Sequence, residues 1–250
     1  MGEGQAGRLM TDRVVCATAE YTLRDQELMR AAQRYFAWQA RMARGELGRR
    51  IVEVGCGVGN FTRHLLDRDL VVATDAEAGC IAQLPGNVGQ RVNVIARTID
   101  VTDPEFVQLR EVALDSVVCL NVLEHIRDDL QALSNMAAVV PPGGKVVLIV
   151  PAFEALYGPI DRNLGHYRRY SKKGLRKVAS AAGFDVKKLR YMNLVGCIAW
   201  WINARVFKRT AQSESQIRMF DRWVVPALEW IETRIEPAFG QSIFAVLIRR

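Results

Sequence analysis

Three short stretches carry residue types and spacings that could do chemistry. The first is Glu53-Val54-Gly55-Cys56-Gly57-Val58-Gly59-Asn60-Phe61, where a β-branched run ends in an acid and three glycines follow at alternate positions. Glycine is needed where the backbone must turn tightly and approach a ligand that a Cβ would block. The G-x-G-x-x-G turn of dinucleotide enzymes is related. Here the third glycine comes one residue earlier, and Glu53 precedes the first by two. The second stretch is Asn121-Val122-Leu123-Glu124-His125. On the first turn of a helix, positions 121, 124 and 125 would share one face. An imidazole titrates near neutral pH, so His125 is a candidate general base. The third stretch, His166-Tyr167-Arg168-Arg169-Tyr170, packs a base, two phenols and two forked donors into five residues. Arginine matches carboxylate or phosphate with two parallel hydrogen bonds. His166 is read as facing a substrate; the tyrosines and arginines could equally brace the segment against carboxylates such as Asp161.

The elements that must position these residues follow from periodicity. Ile51–Val54, Val71–Thr74, Val92–Ile95, Val117–Leu120 and Val146–Val150 are short apolar runs separated by helical patterns, which argues for a parallel α/β sheet. Ligands of such sheets bind outside the carboxyl ends of the strands, near the switch in strand order. The glycine turn follows the first run and the Asn121–His125 stretch the fourth. Tyr157 to Tyr170 follows the fifth, and its Gly, Pro and Asn content predicts a loop. Two further strands are expected at Phe184–Tyr191 and Ile243–Ile248, with an aromatic insertion over 196–240 between them.

E-V-G-C-G-V-G resembles motif I of class I S-adenosylmethionine-dependent methyltransferases. Asp75, Asp100, Asn121 and the Pro141-Pro142-Gly143-Gly144 turn stand at that family's intervals. The resemblance implies a Rossmann-like α/β fold: a mostly parallel seven-stranded sheet with an antiparallel last strand. It implies S-adenosyl-L-methionine as cofactor and S-adenosyl-L-homocysteine as product. Cofactor contacts are expected at Glu53, Gly55, Cys56, Gly57, Asn60 and Phe61 on the turn, and at Asp75 and Ala76 after the second strand. Asp100, Val101 and Asn121 complete the set. N-V-L-E-H resembles the same position in ubiquinone-biosynthesis O-methyltransferases and small-RNA 3′-end methyltransferases. Some of those hold a divalent metal with Glu-Glu-x-x-Glu-His. Here Leu120 and Asn121 replace the leading acids, so no metal is expected. G-H-Y-R-R-Y-S resembles a bacterial subgroup that accompanies or fuses with polyprenyl-linked sugar transferases, or serves secondary metabolism. His166, His125 and Tyr167 are the catalytic candidates; Tyr21, Tyr157, Arg168, Arg169, Tyr170 and Trp200 are the substrate-binding ones.

Composition sets the remaining expectations. With 250 residues, half of them hydrophobic, one domain is expected. It divides into an N-terminal helical segment or lid (1–48), a cofactor-binding core (49–152) and an acceptor-side half (153–250). Five scattered cysteines without a C-x-x-C pair fit a reducing cytoplasm. No signal-peptide pattern or run of 18 apolar residues is present, so neither export nor a membrane span is expected. The net charge of +7 concentrates between Asp161 and Arg190, where ten Lys or Arg face two acids, a local balance of +8. Such a patch can attract phosphate, nucleic acid or anionic membrane, or can be a solvated helix face. Four of the five tryptophans (200, 201, 223, 230) lie in the insertion; they could form a lid over an apolar acceptor, a membrane contact or a homo-oligomer surface. The main expectation is methyl transfer to a small or lipophilic acceptor in the cytoplasm or at a membrane surface. Nucleic-acid methylation through the basic segment and a non-catalytic cofactor-binding scaffold are the alternatives.

Overall fold

The computed structural model describes residues 23–205 and 213–250. Helix α1 (23–29) and α2 (Gln33–Arg44) lead into β1 (Arg50–Val54). There follow β2 (Leu70–Asp75), α3 (Ala78–Val88), β3 (Val94–Thr98), α4 (Pro104–Gln108), β4 (Ser116–Leu120), α5 (Asp129–Val139) and β5 (Lys145–Pro151). The second half comprises α6 (Pro159–Asn163), α7 (Lys172–Ala181), β6 (Phe184–Met192), α8 (Leu194–Arg205), α9 (Glu214–Met219), α10 (Val225–Glu232) and β7 (Ser242–Arg249). The strands form one sheet in the order β3-β2-β1-β4-β5-β7-β6, with β7 antiparallel to both neighbours. The switch in strand order falls between β1 and β4, where Ile51 pairs with Ser116 and Val54 with Cys119.

The alternation of side chains along each strand divides the core into two layers. Val52, Val54, Val117, Cys119, Val146 and Leu148 pack with Leu133 and Met136 of α5 and Leu175 of α7 on one face. Ile51, Val118, Val147 and Ile149 pack with Trp38 of α2 and Leu228 of α10 on the other. Both faces are covered, which explains why the central strands are mostly apolar, Glu53 of β1 being a buried exception.

Two local expectations are corrected. Asn121 to His125 does not open a long helix. Asn121 lies at φ 54 and is followed by a 3-10 turn, Leu123–His125. Helix α5 starts only at Asp129, because the Asp128 carboxylate caps it by accepting from the Gln131 amide at 2.9 Å. The 157–170 segment is not all loop: Pro159 at the first helical position and Asp161, accepting from the Gly158 amide at 2.9 Å, form the short α6. Ser171 caps α7 by accepting from the Gly174 amide at 3.0 Å, as its N-cap position predicts.

The insertion is helical and includes a π-helical stretch, Phe220–Val224. Trp200 is buried, whereas Trp201, Trp223 and Trp230 are exposed. Among the described residues, no helix is long and apolar enough to cross a membrane.

Candidate active site

The carboxyl ends of β1, β4, β5 and β6 open onto a cavity of about 380 Å³, roofed by α1, α8 and α9. On its cofactor side, β1 delivers Glu53 and then the glycine turn. Gly55 and Gly57 lie at φ 70 and φ 52, and a Cβ on Gly55 would collide with Val122. The Gly57 amide donates to Asp75 Oδ2 at 2.8 Å, and Asp75 Oδ1 accepts from the Glu77 amide at 2.9 Å. Asp75 thus ties the end of β2 to the turn. Asp100 Oδ1 accepts from the Thr102 amide and hydroxyl at 2.8 and 2.7 Å.

Glu53 is buried, lines the cavity, and has one carboxylate oxygen without a hydrogen-bond partner among the described residues. Burial, reinforced by the nearby Asp75 charge, pushes its pKa up to about 8. An orphaned buried acid beside a turn without Cβ atoms suits a ligand that brings an ammonium group and presses against the backbone. Helix α1 closes this side. Asn60 Nδ2 donates to the Gln26 carbonyl at 2.8 Å, and a Cβ on Gly57 would meet Gln26 Oε1 at 2.5 Å. Asp25 of the same helix also lines the cavity, and burial lifts its pKa to about 6.

The acceptor side is built around His166. Its Nδ1 contacts Asp161 Oδ1 at 2.9 Å, and the fully buried Asp161 also accepts from Arg169 Nε at 2.9 Å. Burial would raise the Asp161 carboxyl, but the His166 hydrogen bond and the Arg169 charge hold it below its ordinary value. An ionised Asp161 favours the His166 tautomer protonated on Nδ1, leaving Nε2 able to accept a proton. The His125 ring stands edge-on to that of His166 at 4.5 Å. Burial and the adjacent His166 push His125 down to about 3, so it stays neutral. Burial lifts Glu124 to about 7, partly offset by His166, and one of its oxygens has no partner among the described residues. One ligand atom from each of Glu124, His125 and His166 lies within 4.8 Å of the others, an arrangement that could hold a divalent cation.

Of the sequence candidates, Glu53, Gly55, Cys56, Asn60, Phe61, Asn121, His125, His166, Arg169 and Trp200 line the cavity. Others point elsewhere. Tyr167 is exposed, and Arg168 pairs with Asp129 at 2.8 Å. The Tyr170 hydroxyl, buried, bonds Asp129 at 2.9 Å. Tyr157 donates to the His166 carbonyl at 2.7 Å, buttressing that residue from behind. Arg169 reaches the cavity wall but is committed to Asp161 and the Ala152 carbonyl, and stacks on Trp200 at 4.7 Å. Its role as placed is to hold Asp161 and Trp200. Gly57, Asp75, Ala76, Asp100 and Val101 are not in the lining, and Tyr21 lies outside the described residues. Asp161, expected only as a brace, and Asp25, Gln26 and Asn193, which carry no motif, also belong to the site. The signal for Asp161 was available: it is the lone acid among the cations that precede α7.

The strand order and the glycine turn after β1 are those of the Rossmann-like fold seen in solved S-adenosylmethionine-dependent methyltransferases. Residues 23–189 match the family described as a methyltransferase domain, and the chain belongs to it. It is 28% identical over 130 residues to the ubiquinone biosynthesis O-methyltransferase of Vibrio vulnificus, covering 50% of this chain and 49% of that protein. It is 31% identical over 100 residues to that of Alkalilimnicola ehrlichii, covering 40% of each. The chain therefore spans about half the length, or less, of these curated relatives. A solved S-adenosylmethionine-dependent methyltransferase from Thermotoga maritima superposes with a TM-score of 0.62 at 12% identity, covering 94% of this chain and 98% of that one. The N-methyltransferase NodS of Bradyrhizobium japonicum, solved with S-adenosyl-L-homocysteine, gives 0.52 at 14% identity, covering 90% and 85%.

Proposed function

We propose that the enzyme methylates a hydroxyl oxygen of a small, largely apolar acceptor, with His166 as general base and Asp161 as its positioning residue. The observation that carries this is the Asp161–His166 contact at the wall of a cavity whose other walls include Ile160, Trp200, Ile217 and Phe220. S-adenosylmethionine supplies an electrophilic methyl group on a sulfonium. The chain supplies alignment, exclusion of water and a proton acceptor. The hydroxyl proton passes to His166 Nε2 as the methyl carbon bonds to oxygen, and the sulfur keeps the electron pair of the broken bond. Glu53 and Asp75 hold the methionine ammonium and the ribose hydroxyls. The names of the ubiquinone O-methyltransferase relatives agree with an oxygen acceptor, and the G-H-Y-R-R-Y-S loop with secondary metabolism or lipid-linked glycan assembly.

The Glu124–His125–His166 cluster favours a second reading, in which these residues hold a divalent cation that acidifies the acceptor hydroxyl. Dialysis against a chelator separates the two: turnover that survives supports the base, and turnover restored only by added cation supports the metal. Nucleic acid is disfavoured because five of the ten cations in the basic segment are engaged within the fold. Arg168, Arg169, Lys172 and Lys187 pair with carboxylates, and Arg190 donates to the Glu232 carbonyl. Exposed Trp201, Trp223 and Trp230 suit a peripheral membrane contact through which an apolar acceptor would arrive. The test is tritium transfer from labelled S-adenosylmethionine into cell extract. Label in the organic phase is the expected result; label confined to the aqueous phase would overturn the apolar acceptor.

A further inference from the structure

A second, polar cavity lies between the N-terminal helices and the insertion. Four arginines line it: Arg30 and Arg34 from one side, Arg218 and Arg222 from the other. Its three acids, Glu27, Asp221 and Glu214, each have a partner, and one of those partners is Arg218 of the cluster itself. Asp221 accepts from the backbone amides of Arg34 and Tyr35 at 3.1 and 2.9 Å, capping α2. Glu27 accepts from Gln83 Nε2 at 3.1 Å, and Glu214 pairs with Arg218. Among the described residues, Arg30, Arg34 and Arg222 form no ion pair. Arg34 Nη1 donates to the Arg222 carbonyl at 2.8 Å, which ties the two sides of the cluster together. The Arg222 guanidinium lies over the Trp223 ring, 5.1 Å from its centroid. Asp221 lines both this cavity and the main one, so the two meet at that residue.

We propose that this arginine cluster binds a phosphoryl group carried by the acceptor, whose apolar part occupies the main cavity. Three guanidinium groups without carboxylate partners suit a group of nearly two negative charges and three acceptor oxygens better than a single carboxylate. The structure thereby moves anion recognition away from Arg168 and Arg169, whose charges are met by Asp129 and Asp161. The proposal rests on the main cavity being the acceptor site. It adds that the acceptor is amphiphilic, with its charge at the mouth beside α2 and the insertion.

Inorganic pyrophosphate, titrated by calorimetry into the full chain with S-adenosylhomocysteine bound at low ionic strength, tests it. The wild type should bind it saturably. The triple variant R30Q/R34Q/R222Q should lose affinity by roughly tenfold or more, as expected when charge-assisted hydrogen bonds are removed. R176Q/K177Q, on exposed α7, should bind as wild type does. R30Q alone should show a smaller loss in the same direction, which covers the case of a triple variant that fails to fold. No binding by the wild type, undiminished binding by the arginine variants, or an equal loss in R176Q/K177Q would each overturn the proposal. Affinity for S-adenosylhomocysteine, measured separately, reports on the methyl-transfer reading and should not change. Phosphatidylcholine vesicles with and without phosphatidic acid then separate the sources of the group. Competition with pyrophosphate by the phosphatidic acid vesicles identifies a lipid headgroup; pyrophosphate binding without that competition identifies a soluble phosphorylated acceptor.

Discussion

Replacing Asp161 by Asn tests the proposed base most directly. The substitution keeps the side chain's shape, so geometry is nearly preserved while the charge between His166 and Arg169 is lost. Two effects follow, and they separate. The buried Arg169 guanidinium loses its counter-ion, which costs about 3–5 kcal/mol of stability when one partner of a buried pair is removed. For a chain of this size that corresponds to a fall in melting temperature on the order of 10 °C. Turnover should fall independently, by roughly 10²–10⁴-fold, because Asn no longer favours the Nδ1-protonated tautomer that leaves Nε2 basic. The double variant D161N/R169M removes the orphaned cation, and part of the lost stability should return while turnover stays low. The assay is initial-rate methyl transfer across pH, with KM and kcat resolved, beside thermal denaturation of each variant. If turnover recovers along with stability in the double variant, Asp161 acts only through folding and the reasoning about His166 fails.

Other outcomes follow from the same geometry. Glu53 carries a proton to about pH 8 in the folded state, whereas the unfolded chain releases it near the ordinary glutamate value. The native state therefore binds more protons over that window, and ligand-free stability falls as pH rises through it. Glu53→Gln should remove this loss, gaining up to about 4 kcal/mol at pH 8 and little at pH 4.5, while weakening S-adenosylmethionine binding; parallel pH profiles in thermal melts would refute it. Asp75→Ala should weaken cofactor binding by roughly 10–100-fold through lost charge-assisted hydrogen bonds, read by calorimetry; unchanged affinity would place the ribose elsewhere. Gly55→Ala combines positive φ with a clash against Val122 and should cost about 1–3 kcal/mol in denaturant unfolding.

Legibility in the sequence followed the range of the interactions. The strands are readable because the central ones are mostly apolar, and the glycine turn because its positive φ values favour glycine. The Ser171 cap was readable because its partner is three residues away. What escaped depends on distant neighbours. Arg168, Arg169 and Tyr170 have the chemistry of ligand-binding residues, and only the fold brings Asp129 and Asp161 to absorb it. Asp221 gave no local sign of its role, because the amides it caps are 187 and 186 positions away. The turn at Asn121 is not legible locally, because an i, i+3, i+4 pattern does not distinguish a helix from a single 3-10 turn.

The position of β7 in the sheet has a consequence for synthesis. It is translated after every other described strand, yet it sits between β5 and β6 and pairs with both. Until residues 242–249 emerge from the ribosome, the nascent chain presents β5 with an open apolar edge and β6 with no strand to join. Gln241 and Ser242, which line the cavity, also arrive then, as does the close of a loop nearly a hundred residues long between β5 and its partner. Formation of the site is thus coupled to completion of the sheet. A ribosome stalled before β7 would display an unpaired edge prone to association with other chains, in place of a partly active enzyme.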